Sequence, residues 1–148
     1  MTKVAIMRKT SKATIGSGIP TDIFEKPFDL ISLTRRGIPF LEFERILENA
    51  SFSLQDWSGF LHVSKRTLER YRKEQKVFEP LQTERILRIV QVMQMGINVF
   101  GKAGYFESWM GSRNLALGGV CPIELLDSTF GIELLKDELT RIEHGVLA

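Results

Sequence analysis

Residues 53–73 read SLQDWSGFLHVSKRTLERYRK, and their spacing predicts two short helices around a tight turn. Ser53 can cap the first by accepting a backbone N–H, with Asp56 three residues on reaching back as the other half of a capping box. Trp57 and Leu61, four apart, share an inward face. Ser64 caps the second helix, Leu68 and Tyr71 anchor it, and Val63 fills the space beneath the turn. Lys65, Arg66, Arg70, Arg72, Lys73 and Lys76 then stand against only Glu69 and Glu74. These are the parts of a helix-turn-helix, in which one helix braces on the duplex backbone while the next enters the major groove. His62 occupies the turn position where glycine is common, so a positive φ there carries a steric cost.

Working outward, residues 1–26 carry Lys3, Arg8, Lys9 and Lys12 with no acid before Asp22. Gly16, Gly18 and Pro20 interrupt any helical period, so a basic, flexible arm is expected. A helix is predicted over Pro27–Arg36, with Pro27 at a first helical position, Gly37 as a left-handed cap and Leu30, Ile31 and Leu33 facing inward. Leu41, Phe43, Ile46 and Leu47 set a second apolar stripe running to Asn49. Beyond the helix-turn-helix, Ile86, Val90, Met93, Ile97 and Phe100 recur every three or four residues, which predicts a long helix over Pro80–Phe100 closed by Gly101. Gly96 interrupts it at a cost of about 1 kcal/mol relative to alanine, which close approach of another helix would offset. Shorter helices are expected near Tyr105–Met110 and Pro122–Ser128, and an amphipathic one over Ile132–His144, punctuated by Gly118, Gly119 and Gly131. No alternating run is long enough for a strand. The expected class is all-α, with the arm over 1–26, a helix-turn-helix domain over 27–78, and a long helix with a small helical domain over 79–148.

The 148 residues are 43% hydrophobic with a formal net charge of +2, a balance that excludes binding of nucleic acid or anionic lipid by bulk charge. Charge is segregated instead. Over residues 121–148, Glu124, Asp127, Glu133, Asp137, Glu138 and Glu143 outweigh Lys136 and Arg141, so the two cationic and anionic regions favour different partners. Cys121 is the single cysteine, which excludes an intrachain disulfide and makes a reducing cytoplasm the expected location. No apolar run has the ~20 residues of a membrane span or the roughly 7–15 of a signal peptide. His62 and His144 lack metal-ligand spacing, and no phosphate-binding glycine loop with a following Lys is present. Glu138 and Glu143 fall on an exposed helical pattern. No enzyme, metal site or cofactor is expected.

For the helix-turn-helix, Lys65, Arg66, Glu69 and Arg70 form the outward set. Arg66 and Arg70 are the candidate base readers, since a guanidinium can bind guanine O6 and N7 with two hydrogen bonds. Ser64 and Thr67 are placed to donate to phosphate oxygens, and Arg72 and Lys73 to grip phosphate. One such motif contacts few bases, so a dimer addressing two half-sites is expected, with exposed apolar groups of the long helix as its seam.

The segment VFGKAGYFESWMGSRNLALGGVCPIELLDSTFGIELLKDELTRIEHGVLA, residues 99–148, resembles the toxin-binding domain of the Xre/MbcA/ParS antitoxins. The resemblance rests on Phe100-Gly101, Trp109, the Asn114–Gly119 turn with its LGG, Pro122 with Leu125 and Leu126, Gly131, and the ending Leu139, Ile142, Gly145 and Val146. It extends upstream through SKRTLERYRK and Glu79-Pro80, covering nearly everything after residue 27. Met110 and Gly111, which follow the tryptophan, and Cys121 depart from the common pattern. The resemblance implies an antitoxin that covers the active-site cleft of a RES-domain toxin, an enzyme destroying NAD, and that binds its own operator DNA. Because one helix-turn-helix contacts few bases, a homodimer or a larger assembly with the toxin is expected.

Read from the residues alone, Trp109 and the LGG glycines are structural. The candidate toxin contacts are Arg113 and Asn114 on the turn, then Arg141, Glu143, His144, Gly145, Val146, Leu147 and Ala148 at the end of the last helix. A carboxylate at Ala148 could stand in for a phosphate of NAD within a basic cleft. The rival reading is a stand-alone helix-turn-helix transcription regulator whose C-terminal region only dimerises.

Overall fold

One helix runs through both halves of the chain. In the computed structural model, which describes residues 18–145, seven α-helices follow one another: α1 (Pro27–Arg36), α2 (Phe40–Asn49), α3 (Leu54–Leu61), α4 (Lys65–Glu74), α5 (Pro80–Phe100), α6 (Ala103–Met110) and α7 (Thr129–Glu143). Single 3-10 turns occupy Thr21–Glu25, Leu115–Leu117 and Pro122–Leu125. No strand occurs among the described residues, so the class is all-α. No helix among them is long and apolar enough to cross a membrane.

The central helix α5 has the predicted limits. Pro80 needs no amide partner at the first position, and Gly101 takes φ 78° to end the helix with its N–H on the Ile97 carbonyl at 2.8 Å. Ile86, Leu87, Ile89, Val90, Val92 and Met93 are all buried, because α1, α3, α6 and α7 pack around the helix. That removes the expected dimer seam: these apolar groups are consumed within their own chain, and Leu81 in the first turn is the one large apolar side chain of α5 left mostly exposed. Gly96 has the close neighbour its position calls for, since a Cβ there would run into the Phe106 ring. The partner is a side chain of α6 rather than another backbone.

The helix-turn-helix half closes over an aromatic core. Phe40, Phe43, Trp57 and Phe78 are buried, with Phe43 edge-on to Trp57 at 5.1 Å and to Phe78 at 4.9 Å. A short antiparallel contact ties the start of α2 to the approach of α5, through Phe40 N–H to Lys76 O and Phe78 N–H to Ile38 O, both 2.9 Å. Thr83 beneath it accepts from Ile38 N–H and donates to Phe78 O, each at 3.2 Å, so this buried backbone is satisfied.

Several expectations change in the folded chain. Ile31 and Leu41 point outward, at 44% and 57% exposure, while Phe40 takes the buried place expected for Leu41. Gly37 has φ 88° but ψ 155°, outside the left-handed helical region, and a Cβ there would strike the Phe78 carbonyl. Gly131 punctuates nothing: it lies in the first turn of α7, held against the Leu125 carbonyl. Glu138 is buried rather than exposed, with its carboxylate 3.2 Å from Arg141. The arm expected over 1–26 is folded in its last part. Ile19 is buried at 1% exposure, Thr21–Glu25 forms a 3-10 turn, and Lys26 reaches Asp22 at 2.9 Å, which raises the lysine pKa. Residues 1–17 lie outside the described residues.

Candidate nucleic-acid and partner interfaces

Local chemistry positions α3 and α4. Ser53 Oγ accepts the Asp56 N–H at 3.0 Å while Asp56 Oδ2 accepts the Ser53 N–H at 2.9 Å, so both halves of the predicted capping box form. Trp57 is fully buried and Leu61 nearly so, which fixes the face that α3 turns inward. The chain then reverses at His62, whose φ 55° and ψ 38° are left-handed, and Val63 donates to the Ser58 carbonyl at 3.1 Å. Val63 is half-buried against the core beneath the turn. Ser64 Oγ accepts the Thr67 N–H at 3.0 Å and starts α4, and Leu68 and Tyr71 bury its inner face.

What remains outside α4 is cationic. Lys65, Arg66, Glu69, Arg70 and Lys73 are exposed, and Arg66 and Arg70, four apart, lie on one face. Arg70 leans over the Tyr71 ring at 5.9 Å, and Lys76 sits over the same ring at 4.9 Å. Arg72 is turned the other way: its guanidinium pairs with Glu44 at 2.9 Å and covers the Phe40 ring at 5.6 Å, bracing α4 on α2. The Ser64 and Thr67 hydroxyls contact each other at 2.9 Å, so in this arrangement they finish the helix end rather than reach outward.

The C-terminal half is built on closed turns. Asn114 donates its N–H to Val120 O at 3.0 Å, accepts from Gly119 N–H at 2.8 Å, and its Oδ1 accepts from Ala116 N–H at 2.9 Å. Gly118 and Gly119 supply the positive φ values, 79° and 84°, that such a loop needs. Asn114 is therefore the clasp of the loop, while Arg113 beside it is exposed. Trp109 is half-buried against Phe100, with ring centroids 5.5 Å apart. Arg141, Glu143, His144 and Gly145 are exposed at the end of α7; Val146, Leu147 and Ala148 lie outside the described residues. No hydrogen bond or ion pair among the described residues joins Arg113 or Asn114 to this group.

Two exposed apolar side chains escaped the sequence reading. Leu115 is 94% exposed on the loop and Phe130 is 89% exposed on α7, with Leu134 one turn further on. Apolar residues at helical spacing read as core from sequence, and only the fold reveals that the buried face of α7 is already filled by Ile132, Leu135 and Leu139. Among the described residues no three His, Cys, Asp or Glu are grouped to hold a metal ion.

The two halves are joined. His62 Nε2 lies 2.7 Å from Asp127 O, Arg85 donates to Phe60 O at 3.1 Å, and Arg88 on α5 pairs with Glu133 on α7 at 3.2 Å. This is a two-part helical protein, a helix-turn-helix unit sharing its long helix with a small C-terminal unit. Family comparison gives the same division: the antitoxin Xre-like helix-turn-helix domain matches residues 29–91, and the antitoxin Xre/MbcA/ParS C-terminal toxin-binding domain matches residues 95–145. Both matched domains are those of Xre-type antitoxins, and together they take in most of the described residues. The chain is similar to an antitoxin Xre of Yersinia enterocolitica, 34% identical over 87 residues that make up 58% of this chain and 59% of that protein. An antitoxin Xre of Photorhabdus laumondii is 26% identical over 120 residues, 80% of this chain and 81% of the relative. A Prs ADP-ribosylating antitoxin of a Sphingobium species is 21% identical over 147 residues, 90% and 92% of the two chains.

Proposed function

We propose that this chain is an antitoxin with two working surfaces, one for operator DNA and one for a cognate RES-domain toxin that degrades NAD. The observation that carries the reading is the placement of an exposed cationic face on α4, which packs on α2 and α3, and of exposed apolar side chains on the acidic C-terminal half, which packs on α5. Arg66 and Arg70 read bases, Lys65 and Lys73 neutralise phosphate, and Arg72 holds the helix at its angle. Ser64 and Thr67 reach phosphate only by giving up their mutual contact. The C-terminal half, with Arg113, Arg141, Glu143, His144 and Gly145 beside Leu115 and Phe130, covers the mouth of the toxin and inhibits by occlusion, without a catalytic step of its own. The name of the Sphingobium relative couples an antitoxin to ADP-ribosylation, which is compatible with a toxin acting on NAD. Such a pair works in the cytoplasm, where NAD is found.

The test is co-expression with the product of an adjacent reading frame. Expected are rescue from a toxicity that depletes NAD, co-purification of the two chains, and retardation of the shared promoter fragment. Rescue lost on deleting residues 145–148 would place inhibition at the tail. Retardation without any toxic partner would favour the stand-alone regulator instead.

A further inference from the structure

The outward face of α4 sets a carboxylate among its cations. Arg66, Glu69, Arg70 and Lys73 stand at i, i+3, i+4 and i+7 and are all exposed, so they form a single stripe opposite the buried Leu68 and Tyr71. Elsewhere in the chain, arginines draw neighbouring acids to them: Glu44 lies 2.9 Å from Arg72, Glu133 3.2 Å from Arg88 and Glu138 3.2 Å from Arg141. Glu69 does not follow this pattern. With Arg66 three residues before it and Lys73 four after it, it makes no ion pair among the described residues. Its carboxylate stays open to solvent on the face that α4 presents.

We infer that Glu69 is a specificity-determining residue of the operator contact, accepting a hydrogen bond from the N4 amino group of a cytosine beside the guanines bound by Arg66 and Arg70. This rests on the operator-binding reading and adds to it the chemistry of the site. A carboxylate only accepts hydrogen bonds, and a duplex offers it few donors. Phosphate oxygens repel it, and in the major groove the donors are cytosine N4 and adenine N6 alone. Adenine sets its N7 acceptor next to N6, where it repels the second carboxylate oxygen, whereas cytosine N4 has only a carbon-bound hydrogen beside it. Cytosine is therefore the base that a glutamate selects. Spacing permits the neighbouring contacts at the same time. Three residues of helix rise by about 4.5 Å, little more than the roughly 3.4 Å of a base-pair step, so Arg66 and Glu69 reach the same or adjacent pairs. Against any other base the carboxylate is dehydrated without a partner and lies close to phosphates. Glu69 thus weakens binding to wrong sequences more than it strengthens binding to the right one, the repulsive element that specificity requires.

Selection of duplexes from a random library by the full chain tests the inference, followed by fluorescence anisotropy on the selected site and on an unrelated duplex at one fixed salt concentration. Thermal melts confirm that each variant stays folded. The parent chain is expected to select a site with a cytosine whose replacement weakens binding by about tenfold. Glu69→Ala is expected to lose that one preference, to keep those for guanine, and to bind the unrelated duplex more tightly, since a negative charge has left the face. Glu69→Gln is expected to move the preference from cytosine to adenine, whose N6 and N7 a carboxamide matches with two hydrogen bonds. Identical base preferences in the parent, Glu69→Ala and Glu69→Gln overturn the inference and leave the operator reading standing. A parent chain that selects no sequence overturns that reading, and this inference with it.

Discussion

The imidazole Nε2 of His62 lies 2.7 Å from the carbonyl oxygen of Asp127, 65 residues away in sequence. A carbonyl only accepts, so Nε2 carries the hydrogen and donates it. The same residue holds the left-handed conformation that closes the helix-turn-helix turn. One residue thus closes the turn between α3 and α4 with its backbone and ties it, through its ring, to the segment leading into α7.

Two substitutions at His62 separate these roles. His62→Ala keeps the left-handed strain, about 1–2 kcal/mol for a non-glycine residue, and removes a hydrogen bond worth about 1 kcal/mol. It is expected to lose about 1 kcal/mol of stability. His62→Gly removes bond and strain together and is expected to stay within about 0.5 kcal/mol of the parent. Urea unfolding reads the order, and a glycine variant less stable than the alanine variant would contradict it.

Why some of this was legible in the sequence and some was not follows from the range of the forces involved. The limits of α5 and the capping box of α3 depend on residues within a few positions of each other, Pro80 and Gly101 as end signals and Ser53 with Asp56 as reciprocal partners. The left-handed backbone at His62 was likewise visible from the turn spacing, but its bond to Asp127 was not. Periodicity marks which side of a helix is apolar and not what covers it, so Ile31 and Leu41 were read as core and Phe130 passed unnoticed. Gly131 looked like a helix breaker because glycine usually is one; its reason for being there is the Leu125 carbonyl packed against it, a contact set by the tertiary fold. On α4, Arg66 and Arg70 keep the outward placement expected of them, whereas Arg72 is drawn away by Glu44 on another helix.

The arginines of α4 are expected to divide by role. Arg66→Ala and Arg70→Ala should each weaken operator binding by about 1–3 kcal/mol while leaving stability unchanged. Arg72→Ala should lose less affinity. It should instead lower stability by under about 1 kcal/mol, since its pair with Glu44 is partly screened by solvent. Fluorescence anisotropy at one fixed salt concentration, beside thermal melts, distinguishes these outcomes. An affinity loss for Arg72→Ala as large as for the other two would mean that it leaves Glu44 to hold the duplex.

Three helical glycines should respond to alanine with opposite signs. Gly59 in α3 has nothing within 4 Å of a built Cβ, so Gly59→Ala is expected to stabilise by about 0.5–1 kcal/mol through helix propensity alone. Gly96→Ala would drive a methyl into the Phe106 ring, and Gly131→Ala would drive one into the Leu125 backbone. Overpacking of this kind costs about 1–3 kcal/mol, more than propensity returns. Gly131→Ala should be the worse of the two, because a side chain can rotate away and a packed carbonyl cannot. Melting temperatures rank the three directly, and a stabilised Gly131→Ala variant would deny the close approach.

The apolar anchors of the C-terminal half give the sharpest separation of binding from folding. Leu115 and Phe130 bury almost nothing in the free chain, so Leu115→Ser and Phe130→Ser should leave the melting temperature where it is. If the toxin is held by this face, each change should weaken its capture by more than about tenfold, the scale of an interface residue that fills a pocket on the partner. Arg113→Ala and Arg141→Ala should cost less, because charges at the rim of an interface act mostly on the association rate. Surface plasmon resonance with the co-purified partner separates the cases through its off-rates. Unchanged dissociation for both apolar variants would move the contact away from this face and onto residues 146–148.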